Sequence, residues 1–131
     1  MTNPFITLQR SNTILYCRHW IETVRFYKTQ MHLPVTFDND WFVEFQLTPN
    51  SFLSIANSAR ATIPDVQGQG ITLTWEVTDL EQVKAYLERQ GVPTTPIQHK
   101  WQALVCYCYD PEGHRLEFWS KEARNGDGWD E

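Results

Sequence analysis

No stretch of this sequence reaches the roughly 18 consecutive apolar residues that a membrane-crossing helix needs. Lys and Arg number 11 against 16 Asp and Glu, the net charge is -5, and basic residues nowhere form a run. The first absence excludes a helical membrane span. The second argues against nucleic acid or an anionic membrane surface as a partner. The opening MTNPFITLQRSN lacks the basic start and apolar core of a secretory signal, so a cytoplasmic location is expected. Cysteine is scarce and odd in number: Cys17, Cys106 and Cys108, with no C-x-x-C pair. These read as core thiols in a reducing compartment, and Cys106 and Cys108, two apart, would share one strand face. Also missing are an H-x-x-x-H, a serine elbow and a glycine-rich phosphate loop.

What is present is globular. Hydrophobic residues make up 41% and charged residues 21% of 131, which suits a single domain over residues 1–131. Aromatics reach 14%, with six Trp, more than a small core needs, so some should line a pocket or an interface. The chain also repeats itself. NTILYCRHWIETVRFYKTQMHLPVT, from Asn12, and TLTWEVTDLEQVKAYLERQGVPTT, from Thr72, follow one plan: an alternating strand, a turn, an amphipathic helix and a proline-containing exit. Ile21, Val24, Tyr27 and Met31 form the first helical stripe; Leu80, Val83, Tyr86 and Leu87 form the second. Asp79 is a strong helix N-cap with Gln82 as its partner, and His19 holds the matching place in the first half. Gly91 suits the left-handed residue after the second helix, where the first half has His32.

Further strands are expected at 35–38, 41–47 and 52–57 in the first half, and at 95–99, 104–109 and 115–120 in the second. Each half is therefore βαβββ. The fold expected is α+β, with module one at about 12–57, a turn-rich linker at 58–70, module two at about 71–120 and a polar tail at 121–131. A helix covers one face of each sheet. The opposite faces are free to curve around a central cavity, which is the expected ligand site.

Three segments carry a family resemblance. RFYKTQMHLPV resembles an F-Y-x-x-x-L-G-L-P helix exit, VTDLEQV a V-x-D-L helix start, and DPEGHRLEFW a D-P-D/E-G-N/H-x-x-E-L/F ending. All belong to the vicinal oxygen chelate superfamily, which holds glyoxalase I, bleomycin-resistance proteins, fosfomycin-resistance enzymes and extradiol dioxygenases. The resemblance covers residues 12–120. It implies that metal-dependent members use four inward strand positions, usually His, Glu or Gln, which here fall on Asn12, Ser54, Thr72 and Glu117. Three of these are neutral amide or hydroxyl groups, poor ligands for first-row divalent ions, so no metal is expected. Glu117 is left with three readings: a polar cavity wall, a ligand-binding group or a metal ligand. His114, beside the turn, is expected in solvent, and His19 is expected to cap its helix.

With Glu117 pointing inward, alternation sends Arg115 and Trp119 inward and Leu116 and Phe118 toward the helix. Ile14 and Tyr16 join Asn12, and Thr74 and Glu76 join Thr72. The resemblance puts Val105, Tyr107 and Tyr109 inward and Trp101 over the cavity mouth. The expected site is thus Asn12, Tyr16, Ser54, Thr72, Thr74, Glu76, Trp101, Tyr107, Tyr109, Arg115, Glu117 and Trp119, with Glu117 the catalytic candidate. The strand at 41–47 has no face assignment. Aromatic walls with a few acids suit a planar or cationic small organic molecule. The absent ligands and the aromatic wall favour a metal-free binding protein, similar to the bleomycin-resistance branch, and a homodimer is expected. The alternatives are a lyase, isomerase or transferase of the glyoxalase I or fosfomycin-resistance kind that uses a divalent metal, or a cofactor-free enzyme with Glu76 or Glu117 as base.

Overall fold

A strand that is apolar at every second residue buries one face; Arg115–Lys121 does so, whereas Ser51–Asn57 is buried on both faces from Phe52 to Ala56. A computed structural model of the protein describes residues 5–122. The chain divides between Val66 and Gln67 into two units with the same order of elements. Module one comprises β1 (Ser11–Cys17), α1 (Trp20–Arg25), β2 (Val35–Asp38), β3 (Phe42–Thr48) and β4 (Ser51–Asn57). Its sheet runs β1-β4-β3-β2, with β1 parallel to β4 and the other pairs antiparallel. Module two repeats this with β5 (Thr72–Glu76), α2 (Leu80–Arg89), β6 (Gln98–Lys100), β7 (Ala103–Tyr109) and β8 (Arg115–Lys121), in the order β5-β8-β7-β6. The fold is α+β, two βαβββ modules. Among the described residues no helix is long and apolar enough to cross a membrane, which says nothing of a β-barrel.

In module one the helix-side face is Leu15, Cys17, Val43, Phe45, Leu53 and Ile55, all buried, with Tyr27 packed on Phe45 at 6.0 Å between ring centres. In module two it is Cys106, Cys108, Leu116 and Phe118, beneath Leu80 and Leu87. The cysteines are buried and unbridged, and burial pushes the Cys108 thiol up to about 12. A thiol held protonated in that way is inert.

The helices correct two readings. The buried stripe of α1 is not set by Ile21, which is 62% exposed; Thr23, Phe26 and Tyr27 are buried. Thr23 looks polar in sequence, but its hydroxyl donates to the His19 carbonyl at 2.6 Å, so the helix itself satisfies it. Trp20 Nε1, donating to the Ile55 carbonyl at 2.9 Å, fixes the helix on β4. The His19 side chain makes no capping bond, whereas Asp79 does accept from the Gln82 N–H at 3.1 Å. Gly91 takes φ +83° and closes α2 through Val92 N–H to Leu87 O at 2.9 Å. After α1 the chain widens into a π-helical turn at Phe26–Gln30, and His32 adopts the left-handed conformation at φ +58°. A non-glycine residue there costs about 1–2 kcal/mol.

Two strand limits also differ from expectation. β6 begins at Gln98 because Thr95 is used otherwise: its N–H donates to the Tyr107 carbonyl and its hydroxyl accepts from the Tyr107 N–H, both at 2.9 Å. β8 runs on to Lys121, into the expected tail. Residues 123–131 of that tail lie outside the described residues.

Candidate functional site

The side of the module two sheet away from α2 carries the chemistry. Register across β5, β8 and β7 aligns Thr72 with Arg115 and Tyr109, Thr74 with Glu117 and Tyr107, and Glu76 with Trp119 and Val105. On the outer strand Lys100 lies opposite Ala103. A pocket of about 440 Å³ opens on this face, lined by Lys100, Trp101, Val105, Tyr107, Glu117 and Trp119, with Ala103 in its floor. Its size falls within the range of small-molecule sites. Of the expected residues, Trp101, Tyr107, Glu117 and Trp119 meet in this pocket. Thr72, Thr74, Glu76, Tyr109 and Arg115 share the face but do not line it. Trp101 is 93% exposed and, with Gln102, forms the two-residue turn between β6 and β7. Both have positive φ, +51° and +62°, in a turn that ordinarily uses Asn-Gly. A bulky side chain is thus held at the pocket rim at some conformational cost.

Among the described residues Glu117 has one hydrogen bond, a short one from the Thr74 hydroxyl. Arg115, the nearest cation in sequence, does not neutralise it. Its Nε donates to Thr72 Oγ1 at 3.1 Å, and its guanidinium lies 4.6 Å from the centre of the Tyr107 ring. Lys100 Nζ donates to the Tyr107 hydroxyl at 3.2 Å. Among the described residues, no Lys, Arg or His nitrogen lies within 4.0 Å of the Glu117 carboxylate.

Module one presents the contrasting case. Ile14 pairs with Ser54 as Thr74 pairs with Glu117, so Ser54 holds the place of Glu117. Ser54 is buried and donates to Asn12 Oδ1 at 2.9 Å, and Tyr16 follows on the same face of β1. Opposite Ser54 on β3 stands Glu44, which settles the face of that strand: Phe42, Glu44 and Gln46 lie on the face of Ser54, and Val43 and Phe45 on the helix side. The Glu44 side chain is only 14% exposed and is fully engaged. Thr36 Oγ1 donates to it at 2.7 Å and Arg10 Nη2 at 2.6 Å, with Asn12 Nδ2 at 3.4 Å. The Thr36 hydrogen bond, then Arg10, hold its carboxyl below the usual carboxylate range despite burial. Arg10 also stacks on Phe52, 3.6 Å from the ring centre.

The DPEGH stretch is a structural device. Asp110 Oδ1 accepts from the backbone N–H groups of Glu112, Gly113 and His114 at 3.0, 2.9 and 2.9 Å. Its Oδ2 lies 2.8 Å from His114 Nδ1. His114 is 1% exposed, not in solvent as expected. The turn folds it back under the strand so that its ring meets a buried carboxylate. The turn delivers β8, and with it Glu117, in register.

The positions that the resemblance assigns to metal ligands supply one carboxylate, one amide and two hydroxyls. Among the described residues no three His, Cys, Asp or Glu side chains gather as a ligand set. Such donors do not fit a first-row divalent ion. Residue-level reading missed Lys100, Glu44, Arg10 and Thr36. Lys100 was one residue beyond the expected strand, and pairing across the Trp101–Gln102 turn brings it onto the pocket face. For Glu44 the signal was present in FVEFQ, whose Val43 and Phe45 alternate with polar neighbours.

Two βαβββ units, each a mixed four-stranded sheet with its helix on one face and an inward acid after a D-P-E-G turn in the second, define a paired-module protein of the vicinal oxygen chelate architecture. The chain belongs to the Glyoxalase/Bleomycin resistance protein/Dioxygenase superfamily, whose family model matches residues 11–118. No curated protein sequence matches it. Solved structures share its fold at low identity. A crystal structure of lactoylglutathione lyase from Agrobacterium tumefaciens is 15% identical, with TM-score 0.71, covering 91% of this chain and 96% of that one. A glyoxalase/bleomycin resistance protein/dioxygenase from Nocardioides is 17% identical at TM-score 0.72, covering 100% and 91%. A glyoxalase-related enzyme from Fulvimarina pelagi is 18% identical at TM-score 0.73, covering 94% and 96%.

Proposed function

We propose that the protein binds a small planar organic molecule in the module two pocket, directly through side chains and without a metal. The observation that carries this reading is the difference between the two acids. Glu44 is neutralised by Arg10, while Glu117 faces an aromatic pocket with, among the described residues, a hydroxyl as its one partner. A carboxylate so placed favours a ligand with a cationic or hydrogen-bond-donating group, and Trp119 and Trp101 offer stacking surfaces. Calorimetric titration against a ligand found by thermal-shift screening tests it. Trp119→Ala is expected to weaken binding by about 1–3 kcal/mol, and Glu117→Gln to weaken a cation more than a neutral analogue of the same shape. Unchanged affinity in both variants would place the ligand elsewhere. Stoichiometric nickel, zinc, manganese or iron in gently purified protein would overturn the metal-free part.

The proposed assembly is a homodimer. Each sheet ends in strands paired on one side only, and Phe37 and Tyr109 expose more than half of their surface. Such edges and rings are commonly covered by a partner. Sedimentation equilibrium at tens of micromolar is expected to give twice the chain mass; the single-chain mass would refute it.

A further inference from the structure

We infer that the ligand of this pocket is dipolar, a small aromatic zwitterion whose cationic group meets Glu117 and whose anionic group meets Lys100. The inference rests on the pocket reading above and goes further by naming the charge pattern. Glu117 on β8 and Lys100 on β6 line the same cavity, yet they do not pair with each other. Strand β7 lies between them, which sets their backbones about 9–10 Å apart across the sheet. Each is bound to a hydroxyl instead, Glu117 to Thr74 and Lys100 to Tyr107 at 3.2 Å. Among the described residues neither has an ion-pair partner. The β7 residues between them on this face are Ala103, Val105 and Tyr107, so the floor is two aliphatic side chains and the Tyr107 ring, with Trp119 beside Glu117 on β8. A neutral planar molecule would use that floor and leave both charges without complement. A simple cation would satisfy Glu117 and approach the Lys100 ammonium, and a simple anion would meet the reverse penalty. A zwitterion complements both, and hydrogen bonds to charged groups are the stronger kind.

Four probes with one ring and different charges test this by calorimetry: tryptophan, tryptamine, indole-3-propionate and indole. Tryptophan is expected to bind about fivefold tighter than either singly charged probe, the scale of a partly exposed charge pair, and indole most weakly. Glu117→Gln should bring tryptophan level with indole-3-propionate, and Lys100→Met should bring it level with tryptamine. Both side chains have exposed surface, and circular dichroism would verify that both variants fold. Indole, tryptamine or indole-3-propionate binding as tightly as tryptophan would overturn the dipolar assignment. If that binding were still weakened by Trp119→Ala, the pocket reading would stand alone. Failure of all four to bind, or binding indifferent to Trp119→Ala, would overturn the pocket reading and this inference with it.

Discussion

Asp110→Ala is expected to remove about 3–5 kcal/mol of stability, the cost of breaking a buried charged hydrogen-bond cluster from one side. Asp110 is buried, and its carboxylate satisfies three backbone N–H groups and the ring of a histidine that is itself buried. Alanine takes that partner from all four; the Glu112 and His114 groups are buried, while the exposed Gly113 keeps its bond to the Asp110 carbonyl at 3.0 Å. A small domain has roughly 5–15 kcal/mol in total, so the loss is a large share. Asp110→Asn keeps an oxygen for the three N–H groups and disturbs only the histidine contact, so about 1–2 kcal/mol is expected. Urea denaturation measures both, as a lower midpoint at unchanged slope. A loss below about 1 kcal/mol for the alanine variant would show that the turn holds without its carboxylate. Because the turn sets the start of β8, the alanine variant should also weaken whatever binding Glu117 supports.

Gly68→Ala is the second large effect, about 2–5 kcal/mol, the sum of a conformational and a packing cost. Gly68 has φ +78°, which alone costs an alanine about 1–2 kcal/mol. A Cβ there would also lie 2.3 Å from the Gly113 carbonyl carbon and 2.5 Å from the His114 nitrogen, both backbone atoms. Backbone cannot rotate aside as a side chain can, so the linker must lift off the turn, adding about 1–3 kcal/mol of overpacking. Gly70 separates the two contributions. It has φ +77°, and a methyl group added there would meet nothing within 4 Å, so Gly70→Ala should show the conformational part alone. Equal losses in the two variants, read from thermal or urea unfolding, would mean that the close approach at Gly68 carries no weight.

The α+β class, the two βαβββ modules and the family ending were legible because they rest on local rules. Alternation in ILYC and RLEFW assigns faces, Asp79 and Gly91 punctuate a helix, and D-P-E-G makes a turn, each within a few residues. Alternation also placed Glu117, Arg115 and Trp119 on one face. The His114 expectation failed, and Thr23 went unassigned, for a common reason. Both are polar and both are buried, because a carbonyl four residues back satisfies one and the Asp110 carboxylate satisfies the other. Polar burial depends on finding a partner, and composition does not reveal partners.

The sequence alone therefore determined the strand and helix order, the duplication, the faces of the well-patterned strands and the poverty of metal ligands at Asn12, Ser54 and Thr72. The tertiary structure decided which charges meet. Arg115 stands two residues from Glu117, yet it bonds Thr72 and stacks on Tyr107. Arg10 stands 34 residues from Glu44 and lies 2.6 Å from it. Lys100 joins the pocket because a two-residue turn returns β7 alongside β6. Periodicity states which side of a strand a residue occupies. Strand pairing and rotamer choice, which involve residues far apart in the chain, state what it touches there, and the chemistry of this site depends on touch.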